Sequence, residues 1–207
     1  METQGLTISN KITILRILCI PVFALTVLYY IASAARGAPN AYLHWAALVL
    51  FVVASLTDAL DGYLARVRNE RTRLGAILDP IADKSLLLVA LILLSGPWGS
   101  VFDAHIPVWY VWLVISRDVL LLVGSVVIHM AVGHVAVVPR FAGKASTVLQ
   151  MVSVTWVLIE GNIVALGWML GGAAAFTLLS AVLYVRDGIR QLEKAHLHDN
   201  ASQPHAH

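Results

Sequence analysis

Charge is scarce in this chain. Only 13% of its 207 residues are Asp, Glu, Lys or Arg, about half the share an ordinary soluble domain carries. That deficit excludes a water-facing surface over most of the fold. With 59% hydrophobic residues and a mean hydropathy of +0.80, lipid becomes the expected solvent. The net charge is +2, so no basic excess argues for a nucleic-acid partner. The single cysteine, Cys19, excludes an internal disulfide and reads as a small packing residue in an apolar run. The first ten residues lack the charged start and cleavage site of a signal peptide, so export finds no support.

What is there is hydrophobic length. A helix needs about 20 mostly apolar residues to cross the hydrocarbon core. Six blocks qualify, near 13–34, 42–64, 76–95, 108–131, 145–162 and 163–185, the last two separated by a tight Glu160-Gly161-Asn162 turn. The expected fold class is therefore all-α integral membrane, with six transmembrane helices. A short interfacial helix over Leu6–Ile12 precedes the first span. One membrane domain is expected over 1–195, and a polar, disordered tail over 196–207.

Lysine and arginine fall on one set of connections. Lys11 and Arg16 lie near the start, Arg66, Arg68, Arg71 and Arg73 between spans two and three, Arg140 and Lys144 between four and five, and Arg186, Arg190 and Lys194 after the sixth. The opposite set carries only Arg36. This asymmetry predicts that both termini and the arginine-rich loop are cytoplasmic.

Carboxylates inside a span are costly and usually functional. Asp58 and Asp61 lie three apart near the end of the second span, and Asp79 and Asp83 lie four apart in the third. Each spacing puts a pair on one helical face, and the short connection makes the two helices antiparallel neighbours. Four carboxylates brought together repel unless they are protonated or bridged by cations. Hard oxygen donors in this number suit Mg²⁺, Mn²⁺ or Ca²⁺. Gly62, Ala65 and Gly75 leave room beside them for a ligand, and Arg66 offers a fork for phosphate oxygens. Together these residues describe a pocket for a nucleotide diphosphate. A divalent-cation transporter or an inactive scaffold would have no use for the small residues and arginine in this register.

The stretch Asp58-x2-Asp61-Gly62-x2-Ala65-Arg66-x8-Gly75-x3-Asp79-x3-Asp83 resembles the CDP-alcohol phosphatidyltransferase signature at all eight fixed positions. Chance would produce such a match in about one window in ten billion. The resemblance implies two divalent ions, Mg²⁺ or Mn²⁺, held by Asp58, Asp61 and Asp79 with Asp83, which would also act as general base. It implies CDP binding by Asp58, Gly62, Ala65, Arg66 and Gly75, with CDP-diacylglycerol as donor. It also implies a bacterial cytoplasmic-membrane location and a homodimer, for which Gly167-x3-Gly171 is one candidate contact.

The acceptor must be read elsewhere. Ser116-Arg117-Asp118 interrupts the fourth span, and Gly143-Lys144-Ala145-Ser146-Thr147 precedes the fifth. Arg117 and Lys144 suit a phosphate on the acceptor, with Ser116 and Thr147 adding hydrogen bonds. Asp118 is an alternative, purely structural partner for Arg117. These motifs resemble the bacterial branch that makes phosphatidylglycerophosphate from glycerol 3-phosphate. That branch is expected to carry a second lysine where this chain has Ser146. The same departure resembles CMP-forming cardiolipin synthases, and an inositol phosphate is a further option. Lys84, next to Asp83, can be assigned equally to substrate or to lipid head groups.

Overall fold

The computed structural model describes residues 8–68, 84–132 and 141–202, and side chains within 17–57, 84–128 and 141–190 together with Met130. Seven helices are found among the described residues: α1 (Ile8–Ala35), α2 (Ala41–Arg68), α3 (Lys84–Leu93), α4 (Gly96–Gly99), α5 (Val108–Val132), α6 (Phe141–Leu158) and α7 (Ile163–Ser202).

Local chemistry sets most helix ends. The first helix closes on Gly37, whose φ of 75° suits a residue without a Cβ. Asn40 then accepts a 3.0 Å hydrogen bond from the Tyr42 amide and caps α2, while Asn162 accepts a 2.7 Å bond from the Val164 amide and caps α7. Between them the Glu160-Gly161-Asn162 turn forms where it was expected, with Glu160 at φ 56°. The loop after α3 is pinned by a 2.9 Å bond from the Ile106 amide to the Leu94 carbonyl. Gly99 packs so tightly there that a Cβ would collide with the Leu94 carbonyl oxygen.

Two expectations need correction. The interfacial segment is not a separate element, since one continuous helix runs from Ile8 into the first span. Nothing between Ile8 and Cys19 breaks a helix, and Pro21 is carried inside it. At the other end, α7 continues to Ser202 instead of stopping near 195. Residues 186–202 contain only one glycine, Gly188, and no proline, so helical propensity carries on until Pro204 approaches.

Helices α1 and α2, α2 and α6, α6 and α7, and α5 and α7 pack on one another. Phe23, Phe51, Leu91, Tyr110, Val157 and Leu166 join a single buried cluster. The surface is apolar as well: Leu122 is 66% exposed, Val182 64% and Trp168 81%. Patches of this kind on every long helix are what a lipid-facing surface requires. Three helical stretches, Ile17–Ala35, Val108–Ile128 and Ile163–Arg190, are long and apolar enough to cross a membrane. The 18-residue α6 is not among them, because it carries Lys144, Ser146, Thr147, Gln150, Ser153 and Thr155. Of these, Ser146, Gln150 and Ser153 are buried inside the bundle, while Lys144 is exposed.

Candidate active site

The aspartate motif begins on α2. Asp58, Asp61, Gly62, Ala65 and Arg66 all fall in the C-terminal part of this helix, which is unbroken through Arg68. Their spacing of three and four is therefore real helical register, as the pairing of Asp58 with Asp61 needs. Their side chains lie outside the described residues, as do Gly75, Asp79 and Asp83 altogether. Among the described residues no three metal-ligating side chains come together. The donor set itself, all carboxylate, fits a hard divalent ion.

The described chain resumes at Lys84, covalently next to Asp83, and there a cavity opens. It is lined by Lys84, Leu87, Leu88 and Leu91 of α3, Val114, Arg117 and Asp118 of α5, and Ser146, Thr147 and Gln150 of α6. Its volume of about 30 Å³ exceeds what one ordered water needs. One wall is charged and the other is leucine, so a bound polar group would be fixed at one end only.

The charged wall is an ordered cluster. Arg117 donates from Nη1 to Asp118 Oδ1 at 2.8 Å and from Nη2 to Ser180 Oγ of α7 at 2.9 Å. Lys84 Nζ reaches the same Asp118 oxygen at 2.8 Å. The guanidinium is largely buried, its side chain only 16% exposed, yet its Nε has no hydrogen-bond partner among the described residues. A buried donor left open in this way costs energy and is ready for an anion. Gly143 makes the approach possible: a Cβ there would stand 2.9 Å from Arg117 Nη2.

Deeper in, a hydroxyl chain ties α6 to α7. Gln150 Nε2 donates to Ser146 Oγ at 3.0 Å, and Ser146 Oγ lies 2.6 Å from Thr177 Oγ1, which donates to the Ala173 carbonyl at 2.7 Å. Because the Thr177 hydrogen goes to Ala173, Ser146 must donate to Thr177. Ser146 and Thr177 thus each spend their one hydroxyl hydrogen.

The four acceptor candidates separate by position. Arg117 and Thr147 line the cavity, and the Thr147 hydroxyl bonds the Gly143 carbonyl at 3.1 Å. Lys144 is exposed on α6, does not line the cavity, and has no partner among the described residues. Ser116 is exposed on α5 and shares none of the contacts of Arg117. Lys84, which the sequence assigns equally to substrate or to lipid head groups, lines the cavity, while Ser180 and Gln150 are not among the sequence candidates. Gln150 carried a readable signal, an amide inside an apolar helix. Ser180 carried none, for a serine among small residues of a span is ordinary.

Residues 6–180 match the family described as CDP-alcohol phosphatidyltransferase. Among curated proteins, the CDP-diacylglycerol--glycerol-3-phosphate 3-phosphatidyltransferase of Escherichia coli (strain K12) is 31% identical over 192 residues, covering 91% of this chain and 94% of the relative. The proteins of the same name from Shigella sonnei (strain Ss046) and Shigella flexneri serotype 5b (strain 8401) match to the same extent.

Proposed function

The chain belongs to the CDP-alcohol phosphatidyltransferase family, and from that membership we propose that it transfers a phosphatidyl group from CDP-diacylglycerol to glycerol 3-phosphate. The products are phosphatidylglycerophosphate and CMP. The observation that carries the acceptor assignment is the near full-length similarity to relatives named for that reaction. The buried cation beside the cavity supports it: Arg117, with Nε free, suits an acceptor that brings its own phosphate.

Gly62, Ala65 and Gly75 leave the backbone open to the cytidine, and Arg66 holds a phosphate oxygen of the donor. Asp58, Asp61 and Asp79, with Asp83, would hold two Mg²⁺ or Mn²⁺ ions. Such ions, when bound, neutralise charge on the pyrophosphate and polarise the phosphorus. Asp83 takes the proton from the acceptor hydroxyl. The hydroxyl oxygen then bonds to the β-phosphorus as the bond from that phosphorus to the oxygen shared with the α-phosphate breaks, and CMP leaves. Arg117 and Thr147 orient the acceptor from inside the bundle, while Lys144 and Ser116, both exposed, act at the entrance. The proposed topology has six spans with both termini in the cytoplasm, as the lysine and arginine asymmetry supports, and the chemistry then takes place on the cytoplasmic side of a bacterial inner membrane, where the nucleotide is supplied. The open faces at Gly167 and Gly171, where an added Cβ would meet nothing within 4 Å, leave α7 free to pack against a second copy.

The test is release of CMP by purified protein supplied with CDP-diacylglycerol, Mg²⁺ or Mn²⁺ and one acceptor at a time. Glycerol 3-phosphate is expected to be used in preference to phosphatidylglycerol and inositol phosphate. Asp83→Asn is expected to lower the rate by about 10²–10⁴-fold, the usual worth of a positioned base, while the protein stays folded. No CMP with any acceptor would overturn the enzyme reading, and preference for phosphatidylglycerol would move the chain to cardiolipin synthesis.

A further inference from the structure

The cation expected beside Arg117 was Lys144, yet the structure brings Lys84 there instead. Lys84 lies on α3 and Asp118 in the middle of α5, so their 2.8 Å contact joins two helices. The same Asp118 oxygen takes the Arg117 fork at 2.8 Å. One carboxylate therefore gathers two cations from different helices to one side of the cavity that both of them line. Neither cation is consumed by this. The Lys84 ammonium has three donors and, among the described residues, one acceptor, and its side chain is 54% exposed. Arg117 keeps its Nε unpartnered and buried.

We propose that Asp118 is a positioning residue that makes Lys84, together with Arg117, the seat for the acceptor's phosphate. The physical need for it is plain. A lysine on a flexible four-carbon stem otherwise swings toward lipid head groups. Held against Asp118, it presents its remaining donors to the same spot as the arginine. Among the described residues, two cations and one carboxylate leave a net charge of +1 for an incoming phosphate. The second cation thus comes from α3, whereas Ser146 on α6 is buried, bonded to Thr177, and carries no charge.

This inference rests on the proposed use of a phosphorylated acceptor. The experiment measures CMP release by the full-length protein while glycerol 3-phosphate and CDP-diacylglycerol are varied separately. Asp118→Asn is expected to raise the KM for glycerol 3-phosphate roughly tenfold or more, as loss of a charge-assisted hydrogen bond does, with a smaller change in kcat. The KM for CDP-diacylglycerol should stay within about twofold, a margin below half a kcal/mol. Asp118→Glu, which keeps the charge, should recover most of the loss. Lys84→Met should raise the same KM, and the double variant should be little worse than either single one, since the two residues act as a unit.

An unchanged glycerol 3-phosphate KM in Asp118→Asn overturns the proposal. A lowered one also overturns it, showing Asp118 to be a competing anion. Equal damage to both substrates' KM values, unrelieved by Asp118→Glu, reduces Asp118 to a packing role and overturns it too. Should Asp118→Asn fail to fold, Lys84→Met decides by the same split. If the wild type itself ignores glycerol 3-phosphate, the proposed function fails first, and that result is visible before any variant is made.

Discussion

Gly143 is defined by what stands in front of it. Any side chain there would press on Arg117 Nη2, at 2.9 Å from the added Cβ. The guanidinium is a flexible end, but it is anchored by Asp118 on one side and Ser180 on the other. Gly143→Ala is therefore expected to leave the fold intact and to shift Arg117. Steady-state kinetics should show the glycerol 3-phosphate KM rising by about threefold to tenfold, the cost of one displaced hydrogen bond, with the CDP-diacylglycerol KM unchanged. An unchanged acceptor KM would mean that Arg117 does not touch the acceptor. The sequence pattern marked this glycine and Arg117 as worth notice. It could not say that the two meet, because they lie on different helices.

At the scale of elements, α6 is held to α7 by hydroxyls as much as by shape. Ser146, Thr177 and Gln150 are all nearly closed to solvent, at 3%, 1% and 5% exposure. In a bilayer, apolar side chains gain little by leaving lipid for the bundle interior, so such interhelical bonds matter, at about 0.6–1.7 kcal/mol each. Ser146→Ala removes the acceptor of Gln150 and the donor to Thr177 together. We expect a loss of about 1–2 kcal/mol, read as a lower thermal midpoint in detergent. A midpoint equal to the wild type would show that the network relaxes without cost. The long helices were legible in hydropathy, as was the Glu160-Gly161-Asn162 turn before α7, but ends such as those of α6, at Phe141 and Leu158 instead of 145 and 162, were not. The length of α7 was not, because the polar residues of 196–207 suggested a tail while helical propensity favoured continuation to Ser202.

For the whole molecule the surface is the deciding feature. Exposed Leu122, Val182 and Trp168 would drive aggregation in water and are stable only against lipid. The protein is thus expected to remain with membranes through alkaline and high-salt washing and to leave them only with detergent. Reporter fusions at the two ends test the proposed topology. Both are expected to report the cytoplasm, and opposite sides would rule out an even number of spans.

Three things were determined by the sequence alone: the solvent, the helical class and the donor chemistry. Each is written in short-range pattern. Apolar run length selects lipid, and the Asp58-to-Asp83 spacing matches a family signature. The surroundings of Arg117 were decided only by tertiary structure. Its partner Ser180 is 63 residues away, and Lys84 reaches Asp118 across two helices. Such contacts depend on how helices cross and rotate against one another, which residue spacing within one helix does not encode. The aspartates could be read in a line of sequence, but the two cations around Asp118 had to be brought together by the fold.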